Sequence, residues 1–525
     1  MNWAALVFSS AVAFFLSPFV VHHLGNIAYG VWTLVISVIS YIGLLDLGLR
    51  GAVTRYVSHH KSQSDHDKAN QIVSGVLWFR LWISLLAILI GLIVGHYAPQ
   101  LFHVPREFQR AATLAIAIAA TSFGVTLLGG VFGGILAGLQ RFDLLSTVAI
   151  CQTLIRALGV YVLLTKGHGV VALAYWEFAV VLAANSCLIV LAYVKYPQLR
   201  VSLGRPESET FQSIWEFSAY LFIIQICVQV IYYTDNLVVG VFVSTAAVTF
   251  YSIAGTLTEY IRLIISSLVS SFLPLASRFQ AEGQPKKIQR LLIRGTNVAL
   301  AISLPIEVAL LFRGPTFIRL WMGSQYAREG GAILQVLLVS LAFSVTNHVS
   351  SIIAYGLGRP KPMVLWRVGE AVANLGLSVV LAMQIGAVGV AWGTALPSLF
   401  NSLFFFPRFI CRLVNIPVTS YLRRTWLPSG LGVAPFGVAC FLTDHYWHPT
   451  TLVRFALQVL VILPVYVIGA AVFLGNDLIA FLEGQKMFPD WLHWLKRVVR
   501  NAKEDRESTE LLPELGPILG EVERN

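Results

Sequence analysis

The chain has few residues suited to a covalent reaction and several charges placed where charge is costly. In "IYYTDNLVVGVF" (231–242), Asp235 stands inside an apolar and aromatic run. Further on, "EYIR" sets Glu259 and Arg262 three residues apart inside a second such run. That spacing puts both on one helix face, where they pair with each other or line a polar path. Arg156, Glu177 and Glu307 are also embedded in apolar runs. An ionised side chain at the centre of a membrane helix costs about 2.5–3.5 kcal/mol on insertion scales, so such groups face a partner or a wet cavity. A buried carboxylate can take up a proton or a cation, and an arginine can hold a phosphate. Two plainer readings stay open: Glu259 and Arg262 as a self-neutralising pair that fastens helices, and Asp235 with Asn236 as partners for backbone at a helix break.

Covalent chemistry has no footing in the sequence. There is no Walker A loop, nucleophile elbow, HExxH or metal-ligand spacing. The five cysteines fall singly in apolar runs, which implies neither disulfides nor a metal cluster. The expectation is a chain that is not an enzyme and binds no cofactor, with coupling to a proton or sodium gradient suggested by the buried carboxylates.

The elements that carry these charges follow from composition. Hydrophobic residues make up 57% of the 525, charged residues 12%, and mean hydropathy is +0.73. Soluble domains carry about 25% charged residues. Apolar runs of about 20 residues recur along the chain, long enough to cross the bilayer core. The fold class is an all-α polytopic membrane protein of about fourteen spans; a transmembrane β-barrel would alternate in segments of about 10 residues. Residues 3–23 read as a retained helix rather than a signal peptide. The net charge of +11 is a topology signal, because 27 of the 37 Lys and Arg fall in loops on one side and six on the other. The positive-inside rule then puts both termini in the cytoplasm, and nucleic acid is not an expected partner.

The chain also repeats itself. Tyr29 in "YGVWTLVISVISYIGLLDLGLRGAVTRY" pairs with Tyr251, "AGLQR" (137–141) with "YGLGR" (355–359), and "GVVALAYW" (169–176) with "GAVGVAWG" (386–393), at nearly constant offset. Duplication predicts a six-helix lobe over 1–210, a second over 211–415, two added spans over 416–475 and a cytoplasmic tail over 476–525. Within that tail, "DWLHWLKRVVRN" (490–501) suggests an interfacial helix. "LGGVFGGILAG" (128–138) spaces small residues for close helix packing. Arg50, Arg55, Arg80 and Arg278 are candidates at the cytoplasmic mouth for an anionic head group.

"HHLGNIAYGVWTLVISVISYIGLLDLGLRGAVTRYV" (22–57) resembles the polysaccharide branch of the MOP, or MATE-like, exporter superfamily: the Wzx-type O-antigen and exopolysaccharide repeat-unit flippases. Leu24-Gly25, Tyr29-Gly30, Trp32, the run Leu44 to Leu49 and Arg55 carry the resemblance. "TDNLVVGVFVSTAAVTFYSIA" (234–254), "LAGLQRFD" (136–143) and "FIRLWMG" (317–323) add to it. It implies two six-helix lobes around a cavity lined by spans 1, 2, 7 and 8, and alternating access for an undecaprenyl-diphosphate oligosaccharide. It also implies a bacterial inner-membrane location, membrane lipids as surroundings, and a polysaccharide polymerase or export machinery as partner. Asp235, Glu259 and Arg262 would then keep the path polar. Lipid II flippases of the superfamily carry charges in span 1, and residues 3–21 here carry none, so lipid II is disfavoured. The alternatives are a MATE-type cation-coupled multidrug antiporter and, from another class, a membrane glycan polymerase or ligase. The short outside loops weigh against the second.

Overall fold

The computed structural model describes residues 2–46, 51, 53–54, 56–58, 66–202, 208–359 and 361–484. Among these there are helices and no strand, because backbone crossing a bilayer must satisfy its own hydrogen bonds. The helices are α1 (Asn2–Ile42), α2 (His66–Leu101), α3 (Arg106–Gly138), α4 (Phe142–Thr165) and α5 (Val170–Lys195). They continue with α6 (Ser208–Phe242), α7 (Thr245–Ser270), α8 (Phe272–Ala281), α9 (Pro285–Trp321) and α10 (Ser324–Gly356). The last are α11 (Lys361–Phe400), α12 (Phe406–Val414), α13 (Val418–Tyr446) and α14 (Leu452–Gly484). A 3₁₀ turn (Gly43–Asp46) ends α1, and a π turn (Asn401–Phe405) joins α11 to α12.

Eleven stretches among the described residues are long and apolar enough to cross a membrane. Two of them are broken by a glycine. Gly25 (φ 76°) breaks α1, and Gly386 (φ 66°) with Ile385 breaks α11. Both glycines lie in the left-handed region that glycine enters without steric cost. Counting both halves, and adding α6, the helices match the fourteen spans expected from hydropathy. One boundary differs. Hydropathy ends a span at 312 and leaves Arg313 in a loop, whereas α9 runs on to Trp321 with Arg313 fully buried. Its charge is accommodated by Gln458 of α14, which accepts from Nη2, by Asp444 of α13 at 3.7 Å, and by the Phe455 ring at 4.5 Å.

The described residues divide into two compact units, Met1–Ile253 with Val364–Thr394, and Ala254–Met363 with Ala395–Asn525. The chain therefore passes between units inside α7, at the start of α11 and again late in α11.

In the first unit the small-residue run of α3 is a packing surface. A Cβ on Gly129 would lie 1.9 Å from Asn185 Oδ1 of α5, and one on Gly130 would lie 2.6 Å from Arg80 Nη1 of α2. A side chain at either position would have to displace Asn185 or the Arg80 guanidinium.

The second unit is tied through prolines. A proline inside a helix lacks an N–H and frees the carbonyl four residues before it. Pro305 frees the Ala301 carbonyl, and Tyr466 of α14 donates its hydroxyl there. Pro315 frees Leu311, which accepts from Gln335 Nε2 of α10 at 2.9 Å. Pro428 frees Arg424, which accepts from Asn297 Nδ2 of α9 at 3.1 Å. Each break in a helix thereby becomes a bond to its neighbour, so α13 and α14 are fastened to α9 by polar ties as well as by apolar packing.

The two stretches "AGLQR" and "YGLGR" end their helices alike. Leu139, Gln140 and Arg141 donate to Ile135, Ala137 and Leu136; Leu357, Gly358 and Arg359 donate to Ile353, Tyr355 and Ala354. Gln140 and Gly358 both have positive φ (59° and 66°). Two helix ends 218 residues apart close in the same way.

Candidate functional site: a buried carboxylate on α6, α7 and α11

Asp235 lies on α6 and is 5% exposed. Its carboxylate accepts from Tyr251 Oη of α7 at 2.5 Å and from Thr394 Oγ1 of α11 at 2.8 and 2.9 Å. Thr394 Oγ1 in turn accepts from Asn374 Nδ2, also of α11, at 2.9 Å. Asn374 is 1% exposed and its Oδ1 has no hydrogen-bond partner among the described residues. Ser378, wholly buried, donates to the Val390 carbonyl at 3.4 Å. One residue before Asp235, Thr234 shares a hydrogen bond with Tyr41 of α1, and Gln229 donates to Ser40 at 2.7 Å. The first half of α11 supplies Asn374 and Ser378, and the second half, returning after Gly386, supplies Val390 and Thr394. The break in the helix is what gathers them.

This is a cluster of hard oxygen atoms with one carboxylate. Oxygen donors suit hard cations rather than soft metals. Among the described residues no group of three or more His, Cys, Asp or Glu is placed to hold a metal ion. One negative charge balances one monovalent cation or one proton.

The other expected residues fall in several places. Glu259 and Arg262 pair on α7 within the second unit, with side chains 35% and 15% exposed. Arg156 and Glu177 form a two-pronged bridge between α4 and α5, at 2.7 and 2.6 Å. Arg80 is 1% exposed, donates to the Leu127 carbonyl at 2.5 Å and pairs with Asp46 of the 3₁₀ turn. Its surroundings make it a tie between α2, α3 and the end of α1. Arg278 is 70% exposed and bonds Glu282 at 2.6 Å, a contact that holds the Glu282 carboxyl below the usual carboxylate range. Glu307 is 2% exposed, and neither carboxylate oxygen has a partner among the described residues. Arg50, Arg55 and the helix expected at 490–501 lie outside the described residues.

Sequence reasoning singled out Asp235 but missed Asn374, Ser378 and Thr394. Four-residue spacing of Glu370, Asn374 and Ser378 was a visible signal of one helix face. Thr394 left none, since its role depends on a chain reversal.

The model of a family described as "Polysaccharide biosynthesis protein" matches residues 24–329. A Shigella flexneri protein named "Putative O-antigen transporter" is 22% identical over 389 residues, covering 73% of this chain and 90% of that protein. Among solved structures, a lipid II flippase MurJ in an inward closed conformation shares the fold with a TM-score of 0.72 at 16% identity, covering 91% of this chain and 99% of that one. An inward-facing multidrug-resistance MATE transporter of the MOP superfamily has a TM-score of 0.66 at 15% identity, covering 78% and 94%. With a matched family model over more than half its length and a MOP-type fold, the chain is an all-helical, multi-pass membrane protein that belongs to the polysaccharide biosynthesis protein family.

Proposed function

We propose that this chain carries lipid-linked oligosaccharide units, with undecaprenyl diphosphate as the lipid, from the cytoplasmic to the periplasmic leaflet by alternating access. Cation or proton uptake at Asp235 resets the carrier. Family membership and the Shigella flexneri relative support the glycan class. Coupling rests on one observation: both hydroxyl partners of Asp235 stand beside points where the chain passes between its two units. Tyr251 is two residues before the passage at Ile253–Ala254, and Thr394 is the last residue before the passage into Ala395.

A hydroxyl can donate or accept. With no cation present, Tyr251 and Thr394 point their protons at the carboxylate. A cation arriving at Asp235 takes that place, and Thr394 Oγ1, Asn374 Oδ1 and Ser378 Oγ offer lone pairs instead. The hydrogen bonds that set the positions of α7 and α11 are thereby exchanged. A ligand shifts a conformational equilibrium by its differential affinity for the two states, and a ligand at this position acts on the segments that join the units. Arg262 and Arg278, together with Arg50 and Arg55, are the arginines proposed to meet the pyrophosphate. The bacterial inner membrane, cytoplasmic termini, and a polymerase or export assembly as downstream partner complete the reading.

The test is reconstitution in liposomes with a fluorescent undecaprenyl-diphosphate oligosaccharide, following quenching of outer-leaflet label under sodium or pH gradients. Protein-dependent flipping that one gradient accelerates, with the acceleration lost in Asp235→Asn, is expected. Uptake of organic cations with no flipping of any lipid-linked glycan would replace this reading with an antiporter.

A further inference from the structure

The second unit gathers positive charge at one end, the end that the positive-inside rule puts in the cytoplasm. There α9 begins at Pro285 and carries Lys286, Lys287, Arg290 and Arg294, all exposed. α12 adds Arg408 and Arg412, and the start of α13 adds Arg423 and Arg424, exposed as well. Hydrogen bonds bring these three segments together. Gln289 Nε2 donates to the carbonyls of Val414 and Asn415, at 2.9 and 3.3 Å, where α12 ends. Asn297 Nδ2 donates to the Arg424 carbonyl at 3.1 Å. Arg290 precedes Asn297 by two helical turns and so lies on the same face of α9.

Little acid is set against this charge. Glu282 is bonded to Arg278, and Asp477 and Glu483 fall in the last turns of α14. Counted against one cation each, Asp477 and Glu483 still leave six of the eight in excess. Neither α9 nor α13 has an acid in its first turn, although both helices start at this end and a helix N-terminus favours anions over cations. Positive-inside bias explains a basic end; it does not explain where the chain puts its acids. Residues 503–525 hold seven of the 26 Asp and Glu, against three Lys and Arg. They follow α14, which leads to the same end. Gln458 meets Arg313 and Tyr466 meets Ala301, so α14 runs antiparallel to α9. Tyr466 to Gly484 is about 27 Å of helix and Ala301 to Pro285 about 24 Å, so the two finish nearly level.

We propose that the basic end of α9, α12 and α13 is the docking surface for the acidic segment 503–525 of the same chain. The intervening Lys486, Lys496, Arg497 and Arg500 suit an anionic membrane surface, whereas the acidic segment is repelled by it. The counter-charge for that segment is on the protein itself. Docked, it covers arginines that would otherwise hold phosphate-bearing head groups at this end of the second unit.

The experiment treats the purified full chain in detergent with a carbodiimide, which joins a carboxylate to a lysine amine only where the two touch. Mass spectrometry reads the products, and thermal unfolding is the fold control. Bonds from Lys286 or Lys287 to acids of 503–525 are expected. They fall about tenfold between roughly 0.01 M and 1 M salt, as the Debye length shrinks from about 30 Å to about 3 Å. Arg290→Glu with Arg412→Glu and Arg424→Glu lowers their yield. Adding Glu504→Lys, Glu507→Lys and Glu510→Lys restores cross-linking between 503–525 and this end, a rescue that a general fold defect would not allow. A mixture of isotopically light and heavy chains is expected to show the bonds within one copy. Folded protein without these bonds at low salt, or with bonds only between copies, would overturn the proposal. So would phosphatidylglycerol that stays bound to this end through purification while the segment fails to cross-link, which would make the surface a lipid site.

Discussion

Two buried carboxylates, one in each unit, have opposite surroundings. Asp235 accepts from two hydroxyls on two neighbouring helices, and a third side chain, Asn374, steadies one of them. Glu307, on α9, is as deeply buried, and neither of its oxygens has a partner among the described residues. Ser303, one turn earlier on the same helix, is completely buried with an unpartnered Oγ. The helix around Glu307 is tied to its neighbours by the proline-freed carbonyls of Ala301 and Leu311, which work without the carboxylate. The difference separates burial from bonding: Asp235 is embedded in a network of hydroxyl and amide partners, and Glu307 sits in a scaffold held by other bonds.

The comparison can be tested by unfolding in detergent. Asp235→Ala strands the buried Tyr251 and Thr394 hydroxyls, so a loss of about 3 kcal/mol is expected. Glu307→Met keeps similar volume and removes a buried polar group that has nothing to bond, so a gain of about 1–2 kcal/mol is expected, with flipping unchanged. A Glu307→Met protein as destabilised as Asp235→Ala would erase the contrast. Tyr466→Phe removes only the hydroxyl that meets the Ala301 carbonyl, for an expected loss of about 1 kcal/mol. If Tyr466→Phe unfolds like wild type, the proline ties contribute register rather than stability.

Much of the architecture was legible because hydropathy and backbone satisfaction act locally. A run of about 20 apolar residues in a bilayer has to become a helix, whichever helices surround it. The run at 128–138 likewise announced close packing, and Asn185 and Arg80 occupy the space its glycines leave open. Hydropathy misjudged Arg313, since averaging over neighbours cannot see a guanidinium stacked on Phe455 and bonded to Gln458. The candidate site was half legible. Asp235 stood out as a charge in an apolar run. Glu370, Asn374 and Ser378 had the right spacing, but Asn and Ser at helix positions are ordinary until something shows which way they face.

The sequence by itself determined that this chain is helical and membrane-spanning, because both properties depend on composition and spacing along a single segment. Tertiary structure alone decided which charges are neighbours. Tyr251 reaches Asp235 from 16 residues away, and Thr394 reaches it from 159 residues away only because α11 breaks at Gly386 and returns. Hydrogen bonds act over about 3 Å, and only the folded chain brings groups so distant in sequence within that range.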